Sequence, residues 1–371
     1  MTVGIVGAGQ LGRMMALAGY PLGLEFLFLD KDRRTPGGQV APILEGELTD
    51  RKLLGELSSR CEVLTFDWEN VPVDALQDLP AAGARIAPPL RALAAAQDRL
   101  SEKRTFELLG IPTTRYAAVD SRAALEAAAR TIGLPGVLKT RRLGYDGKGQ
   151  FVLRKPSDLD AAWAALGSAP LLYENLVPFD REVSIIAVRG LDGAIAFYPL
   201  NLNVHRDGIL RLTRAPYGNA ALTRQAQRAA RRLLEHFNYV GVLTIEFFVA
   251  GTRLIANEMA PRVHNSGHWT IEGADTSQFE NHVRAIAGMP LGSTSPRGHS
   301  AMINLIGELP ERDPLLCETS LHWHDYGKTP RPGRKLGHIT LVESTARARD
   351  RRALKVLGRV DRATWIALRR G

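Results

Sequence analysis

An α/β protein with an open parallel sheet in its N-terminal part is the fold class that the sequence predicts, and three observations predict it. A short apolar run, residues 3–6, passes directly into Gly7-Ala8-Gly9-Gln10-Leu11-Gly12 and then into a helical pattern. Further strand-like runs at residues 24–29 and 63–66 alternate with helical stretches, the spacing of a parallel sheet. Beyond residue 132 the pattern changes to strands joined by tight turns. Three parts follow from these changes: residues 1–98, 99–292 and 293–371.

Taken in order, the first strand reads as a buried one turning straight into a glycine loop. The stretch 90–109 is rich in alanine, leucine and charge, which predicts one helix stopping before Gly110-Ile111-Pro112. Residues 123–132 predict another. Strands are expected over 136–140, 151–153, 171–174 and 182–189, with Gly193 marking a hairpin into 194–198. After a helix around 223–237, residues 242–249 and 253–258 form a second hairpin through Ala250-Gly251-Thr252. The last part opens with a loop, 293–298, and contains a strand at 302–306, further short strands and one arginine-rich helix. It is too small for an independent enzyme and reads as a lobe completing a site.

With 371 residues the chain has room for two or three domains. Cys61 and Cys317 lie far apart, so neither a disulfide framework nor a zinc spacing is expected, and a cytoplasmic location is the default. No apolar run reaches the roughly 20 residues of a membrane span, and no membrane partner is expected. The net charge is +9. Its basic clusters at residues 224–232 and 347–355 read as solvated helix faces, whereas 331–335 lies among glycine and proline and could converge on a ligand. A basic surface attracts nucleotides and sugar phosphates as well as polynucleotides, and no zinc-finger or aromatic RNA-binding motif supports nucleic acid.

Four groups of residues could carry chemistry. Gly7, Gly9 and Gly12, with Asp30 about 20 residues on, match a dinucleotide fingerprint. The same geometry serves a single phosphate at a helix N-terminus, or simply a tight strand-to-helix turn. Gly144-Tyr145-Asp146-Gly147-Lys148-Gly149-Gln150 lies between two strands, so it reads as a lid whose backbone N–H groups can face polyphosphate, with Lys139 in reach. A plain hairpin tip is the alternative. Glu246 and Glu258 sit in apolar strands on either side of the second hairpin and should come almost opposite each other. Two such carboxylates repel, and magnesium with nucleotide phosphates would resolve the conflict; Asn257 could add an oxygen. Otherwise one glutamate faces solvent or an arginine. Finally, Arg262-Val263-His264-Asn265-Ser266-Gly267-His268 places a cation, an amide, a hydroxyl and two imidazoles just beyond that pair, suited to an anionic second substrate or to ordinary loop hydrogen bonding.

Together these stretches resemble the ATP-grasp family, and within it the N5-carboxyaminoimidazole ribonucleotide synthases. The resemblance rests on GIVGAGQLGRM from Gly4, AQDRLSEK from Ala96, LKTRRLGYDGKGQ from Leu138, NLNVHRDG from Asn201, NEMAPRVHNSGHWT from Asn257 and RPGRKLGH from Arg331. It implies a Rossmann-like N-terminal lobe, a central ATP-grasp module and a small C-terminal lobe. ATP and Mg2+ would be the cofactors. ATP phosphates would be held by Arg99, Lys139 and the lid of Gly144, Tyr145, Asp146, Gly147, Lys148, Gly149 and Gln150. Glu174, Asn175, Leu176 and Val177 would line the adenine end through backbone groups, Glu182 would bind the ribose, and His205 would lie in the same pocket. Glu246 and Glu258 would bind the metal, with Asn257 beside it. The ribonucleotide would meet Gln10, Glu69, Tyr145, Arg262, His264, Lys328 and Arg334, with Lys139, Arg262 and His264 taking part in catalysis. The substrates implied are bicarbonate and 5-aminoimidazole ribonucleotide, joined in a homodimeric enzyme through carboxyphosphate.

Other readings remain distinct by their substrates. A related ATP-grasp ligase would activate formate or another carboxylate. A biotin-dependent carboxylase would need a carrier segment. A nicotinamide dehydrogenase would use the first glycine loop but leave the glutamate pair unexplained, and a scaffold protein would tolerate loss of Lys139, Glu246 and Glu258.

Overall fold

The computed structural model describes residues 1–79, 83–144 and 148–370. Its N-terminal sheet contains β1 (Thr2–Val6), β2 (Glu25–Asp30), β3 (Ile43–Glu45), β4 (Val63–Phe66) and β5 (Arg85–Ile86), in the order β3-β2-β1-β4-β5. Every pairing is parallel, as the alternation predicts. Val3, Ile5 and Val6 of β1 and Val63 and Leu64 of β4 are fully buried, the condition of strands covered on both faces. Strand order reverses between β1 and β4, and the register Val6↔Phe66 brings the loops beyond them together. Such a reversal point is where open α/β sheets place their crevice.

A small antiparallel sheet follows, made of β6 (Tyr116–Val119), β7 (Gly136–Thr140), β8 (Gln150–Leu153) and β9 (Leu171–Asn175), ordered β6-β9-β7-β8. The third sheet is large. It takes in β10 (Arg181–Arg189), β11 (Ile195–Phe197), β12 (Asn201–Arg206), β13 (Ile209–Ala215), β14 (Gly241–Ala250), β15 (Arg253–Ala260), β16 (His299–Ile306), β17 (Leu321–Asp325) and β18 (Lys335–Glu343). Its order is β15-β14-β10-β12-β13-β16-β18-β17, with β11 beside β10.

The C-terminal lobe is joined to the central module, because β16 pairs with β13 and extends its sheet. The helices depart from expectation. Residues 90–109 form two helices, Leu90–Gln97 and Arg99–Leu108. The break falls at Asp98, whose extended backbone lets its carboxylate accept from the Leu100 N–H at 2.9 Å and cap the second helix. The chain ends in two helices, Ala346–Val360 and Arg362–Arg370, rather than one. The first is not uniformly solvated: Arg349 is only 7% exposed and donates to the Ala215 carbonyl. By contrast Arg224, Arg228, Arg231 and Arg232 do lie on an exposed helix face. Strands β6, β12 and β13 were absent from the expectation, although Asn201 to His205 of β12 alternate polar and apolar residues.

Candidate active site

The hairpin β14–β15 sets the centre. Its register pairs Glu246 with Glu258 directly, and the next pair is Phe247 with Ala256. Asn257 is therefore the extra residue of a β-bulge. Neighbours in a regular strand point to opposite faces, and the bulge relaxes that rule for Asn257 and Glu258. Burial drives the Glu246 carboxyl up to about 7; the positive influence of His205 is outweighed once Glu258 and Glu182 add to the burial. A hard cation bridging this pair would remove the conflict, and carboxylate oxygens are the donors such an ion prefers. The residues present thus fit magnesium.

On one side of the pair lie the nucleotide residues expected from sequence. Arg99 sits 3.2 Å from the Glu258 carboxylate and reaches toward the Gly144 carbonyl at 3.4 Å. Lys139 lies 3.3 Å from one Glu174 oxygen, while the other accepts from the Thr114 hydroxyl at 2.9 Å. Glu174 is buried, which alone would raise its pKa, but Lys139 and Lys103 together hold it down at about 2. Its side chain is thus an internal anchor, a role the backbone-only expectation for the adenine end did not include. The amides of Asn175 and Leu176 donate to the Arg115 and Pro135 carbonyls and so hold the strand end in place. Val177 is buried beside them. Glu182 accepts from His205 Nδ1 at 2.8 Å. Burial lowers the His205 pKa, yet that hydrogen bond and the charges of Glu246, Glu182 and Glu258 carry it up to about 8. The lid closes through Thr140 N–H to the Gly149 carbonyl, and Lys139 pairs in register with Gln150. Tyr145, Asp146 and Gly147 lie outside the described residues; Lys148 stands at their edge.

On the other side lies the second-substrate set. Arg262 donates to Glu69 at 2.5 Å, joining the loop after β15 to the loop after β4. His264 Nε2 stands 3.5 Å from Glu246. Burial and the nearby Arg262 and Lys335 keep this imidazole neutral, so the contact is not an ion pair. Lys328 donates to the Gln10 side chain, linking the C-terminal lobe to the first helix. Burial, together with Arg334, brings the Lys328 pKa down to about 8, with Asp67 opposing. Arg334 donates to the Thr329 carbonyl at 3.1 Å within its own loop. Its neighbour Lys335 acts electrostatically on Glu69, Glu246 and His264, and so is the more central cation.

The glycine loop of the first lobe is filled from within. The Gly12 N–H donates to Asp67 at 3.4 Å, and Ala8 N–H donates to Asp30 at 2.6 Å. A Cβ on Gly7 or Gly9 would lie 2.5 Å from an Asp67 oxygen. A carboxylate of the chain thus occupies the seat that a phosphate would take in the dinucleotide reading. Burial raises the Asp67 pKa to about 6.

Comparison with known proteins agrees with this layout. The ribonucleotide synthetase preATP-grasp domain matches residues 1–97, the ATP-grasp domain 104–279, and the phosphoribosylaminoimidazole carboxylase C-terminal domain 300–352. The N5-carboxyaminoimidazole ribonucleotide synthase of Pseudomonas aeruginosa is 49% identical over 92% of this chain and 94% of its own. The chain belongs to the N5-carboxyaminoimidazole ribonucleotide synthase family. It is accordingly an ATP-dependent ligase of the ATP-grasp type. The crystal structure of the Thermus thermophilus synthetase superposes with a TM-score of 0.92 at 50% identity, covering 97% of this chain and 98% of that one. An Aspergillus clavatus synthase in complex with ADP and 5-aminoimidazole ribonucleotide gives 0.89 at 31% identity, with 97% and 98% covered.

Within this synthase fold, three buried groups beside the site were missed from sequence. Lys103, 1% exposed, lies 3.6 Å from Glu174 and donates to the Asn257 carbonyl at 2.8 Å. It thereby ties the small sheet to the β14–β15 hairpin. Glu102 accepts from the Met259 N–H at 2.6 Å, and burial raises it to about 8. A signal existed: Arg99, Glu102, Lys103 and Phe106 share one helical face, and three ionisable groups on a face with a core phenylalanine are unusual. Gln278, buried beside His264, carries no such mark. Among the described residues no helix is long and apolar enough to cross a membrane.

Proposed function

We propose that this chain carboxylates the amino group of 5-aminoimidazole ribonucleotide with bicarbonate, converting ATP to ADP and phosphate, in purine biosynthesis. One observation carries the reading. The opposed Glu246 and Glu258 form the junction between two sets of residues: Glu258 meets Arg99 of the nucleotide side, and Glu246 meets His264 of the other. ATP and a second substrate bound on the two sides would therefore have their reacting ends together.

Bicarbonate oxygen attacks the γ-phosphoryl group, ADP departs, and carboxyphosphate forms. Lys139 and Arg99 stabilise the charge that develops on the phosphate oxygens. The exocyclic amine then bonds to the activated carbon, either in carboxyphosphate or in carbon dioxide released from it. The amine loses a proton to give the carbamate; phosphate leaves in that step on the first route and on release of carbon dioxide on the second. Gln10, Glu69, Tyr145, Arg262, His264, Lys328 and Arg334 hold the ribonucleotide, with Arg262 and His264 nearest the glutamate pair. Glu246 and Glu258 hold Mg2+, with Asn257 beside it, and the ion supplies charge neutralisation for the polyphosphate. The lid over residues 144–150 excludes water, which would destroy the activated intermediate. Residues 1–98, 99–292 and 293–371 act as three lobes of a cytoplasmic homodimer.

The test is ADP formation by purified protein with MgATP and 13C-bicarbonate, with and without the ribonucleotide, while the carbamate is followed by 13C NMR. Ribonucleotide-dependent turnover with a new carbamate resonance is expected. Turnover with formate in place of bicarbonate would reassign the chain to a neighbouring ligase reaction.

A further inference from the structure

We infer that Gln278 is a positioning residue that sets where His264 stands in the second-substrate site. The inference rests on the functional reading above. Residues 261–264 belong to no helix or strand, so the His264 peptide groups lack a ladder partner, and of the two only the carbonyl has a backbone one, the Gly267 N–H at 3.0 Å. Gln278 supplies one. Its Oε1 accepts from the His264 N–H at 3.0 Å, and its Nε2 donates to the His264 carbonyl at 2.6 Å. A primary amide offers one donor and one acceptor side by side, so it takes the place of a neighbouring strand's peptide group.

The clamp is itself fixed. Gln278 is fully buried at the start of the helix Gln278–Ala287, which Ser277 caps by accepting from the Glu280 N–H at 3.1 Å. Its own N–H donates to the Thr270 hydroxyl at 2.9 Å, and that hydroxyl donates to the Gly267 carbonyl at 2.6 Å. A Cβ on Gly267 would lie 2.6 Å from the Gln278 amide carbon, so glycine there is what admits the side chain. The ring is oriented separately. His264 Nδ1 lies 2.9 Å from the Ser266 hydroxyl and accepts from the Ser266 N–H at 3.3 Å, which turns Nε2 toward Glu246. Backbone clamp and ring clamp together fix both the origin and the direction of the imidazole. Arg262, two residues earlier, is carried on the same loop.

The experiment uses the full chain with Gln278→Met, which keeps length but makes neither bond, and Gln278→Glu, which loses the donor. Asn281→Ala serves as the control, because Asn281 bonds Tyr198 and the Gly292 backbone from the same helix without touching His264. His264→Asn is run in parallel. Both Gln278 variants should keep the ATP KM within about twofold while carboxylated product per second falls about 10- to 100-fold. Product formed per ADP should fall as well, as the activated intermediate goes to water. Retention of the wild-type product-to-ADP ratio in either folded Gln278 variant overturns the inference, and so does an equal loss in Asn281→Ala. If His264→Asn is itself without effect, the site reading is what fails and the clamp falls with it.

Discussion

Two regions of this molecule advertise a charged ligand in the sequence, and only one of them leaves its charge uncompensated by the chain. The Gly7–Gly12 loop has the spacing of a phosphate cradle, yet its N–H groups are met by Asp67 and Asp30 of the chain itself. The β14–β15 hairpin brings two carboxylates into register, with Glu246 held up near 7 by its burial. One motif is electrically complete and the other is not. The difference teaches that a binding motif is recognised by what it leaves unsatisfied. Glycine spacing reports only that something approaches the backbone closely, whether a ligand or a side chain.

The largest effect should come from neutralising the incomplete region. Glu258→Gln or Glu246→Gln removes one donor for the cation and one charge from the pair. Turnover of ADP should drop about 10²- to 10³-fold, the loss typical of removing one electrostatic contributor to a transition state. For Glu246→Gln stability should not drop, since a like-charge repulsion is relieved, and thermal unfolding without ligand is expected at an equal or higher temperature; Glu258→Gln also loses its ion pair with Arg99 and should be the less stable of the two. A variant with near-normal turnover would mean that the hairpin, like the loop, is complete without a ligand.

Asp67→Asn probes the complete region through pH. The wild-type carboxyl titrates near 6 when folded, against an ordinary value of 3.8. The folded state therefore holds this proton more tightly than the unfolded chain. Its stabilising contribution is present below pH 4, is lost as pH rises to 6, and stays lost above. The difference corresponds to roughly 3 kcal/mol. Between pH 4 and 7 the wild type should lose about that much stability relative to Asp67→Asn in urea titrations. Parallel curves for the two proteins would show that Asp67 is solvated rather than enclosed by the loop.

How much of this could be seen in the sequence follows from distance along the chain. The opposition of Glu246 and Glu258 was legible because a short hairpin fixes register from its turn. The parallel β1–β2–β4 arrangement was legible from alternation of strand and helix. The seat of Asp67 was not, because its meeting with Gly12, 55 residues away, depends on parallel pairing that no local pattern encodes. The same holds for β16 joining β13, which continues the central sheet into the C-terminal lobe. Gln278 left no trace, since a glutamine after a helix cap looks like surface. Lys335 was not singled out beside Arg334, because a basic run on either side of a strand start gives no sign of which charges reach the site.

The smallest predicted effect changes sign, and so tests the comparison most closely. Gly9 has φ −77°, a conformation open to any residue, so its backbone does not require glycine. What excludes a side chain is Asp67: the three nearest atoms a Gly9 Cβ would meet belong to that carboxyl. Gly9→Ala alone should cost about 1–3 kcal/mol, as overpacking against a fixed group does. In an Asp67→Ala background the obstacle is gone, and the same substitution should stabilise by about 0.4–1 kcal/mol through the unfolded chain's lost freedom. Unfolding midpoints of the four proteins in the cycle measure this coupling. Equal costs in both backgrounds would mean that the glycine serves an external ligand after all, and the two regions would then differ only in the charge of what they hold.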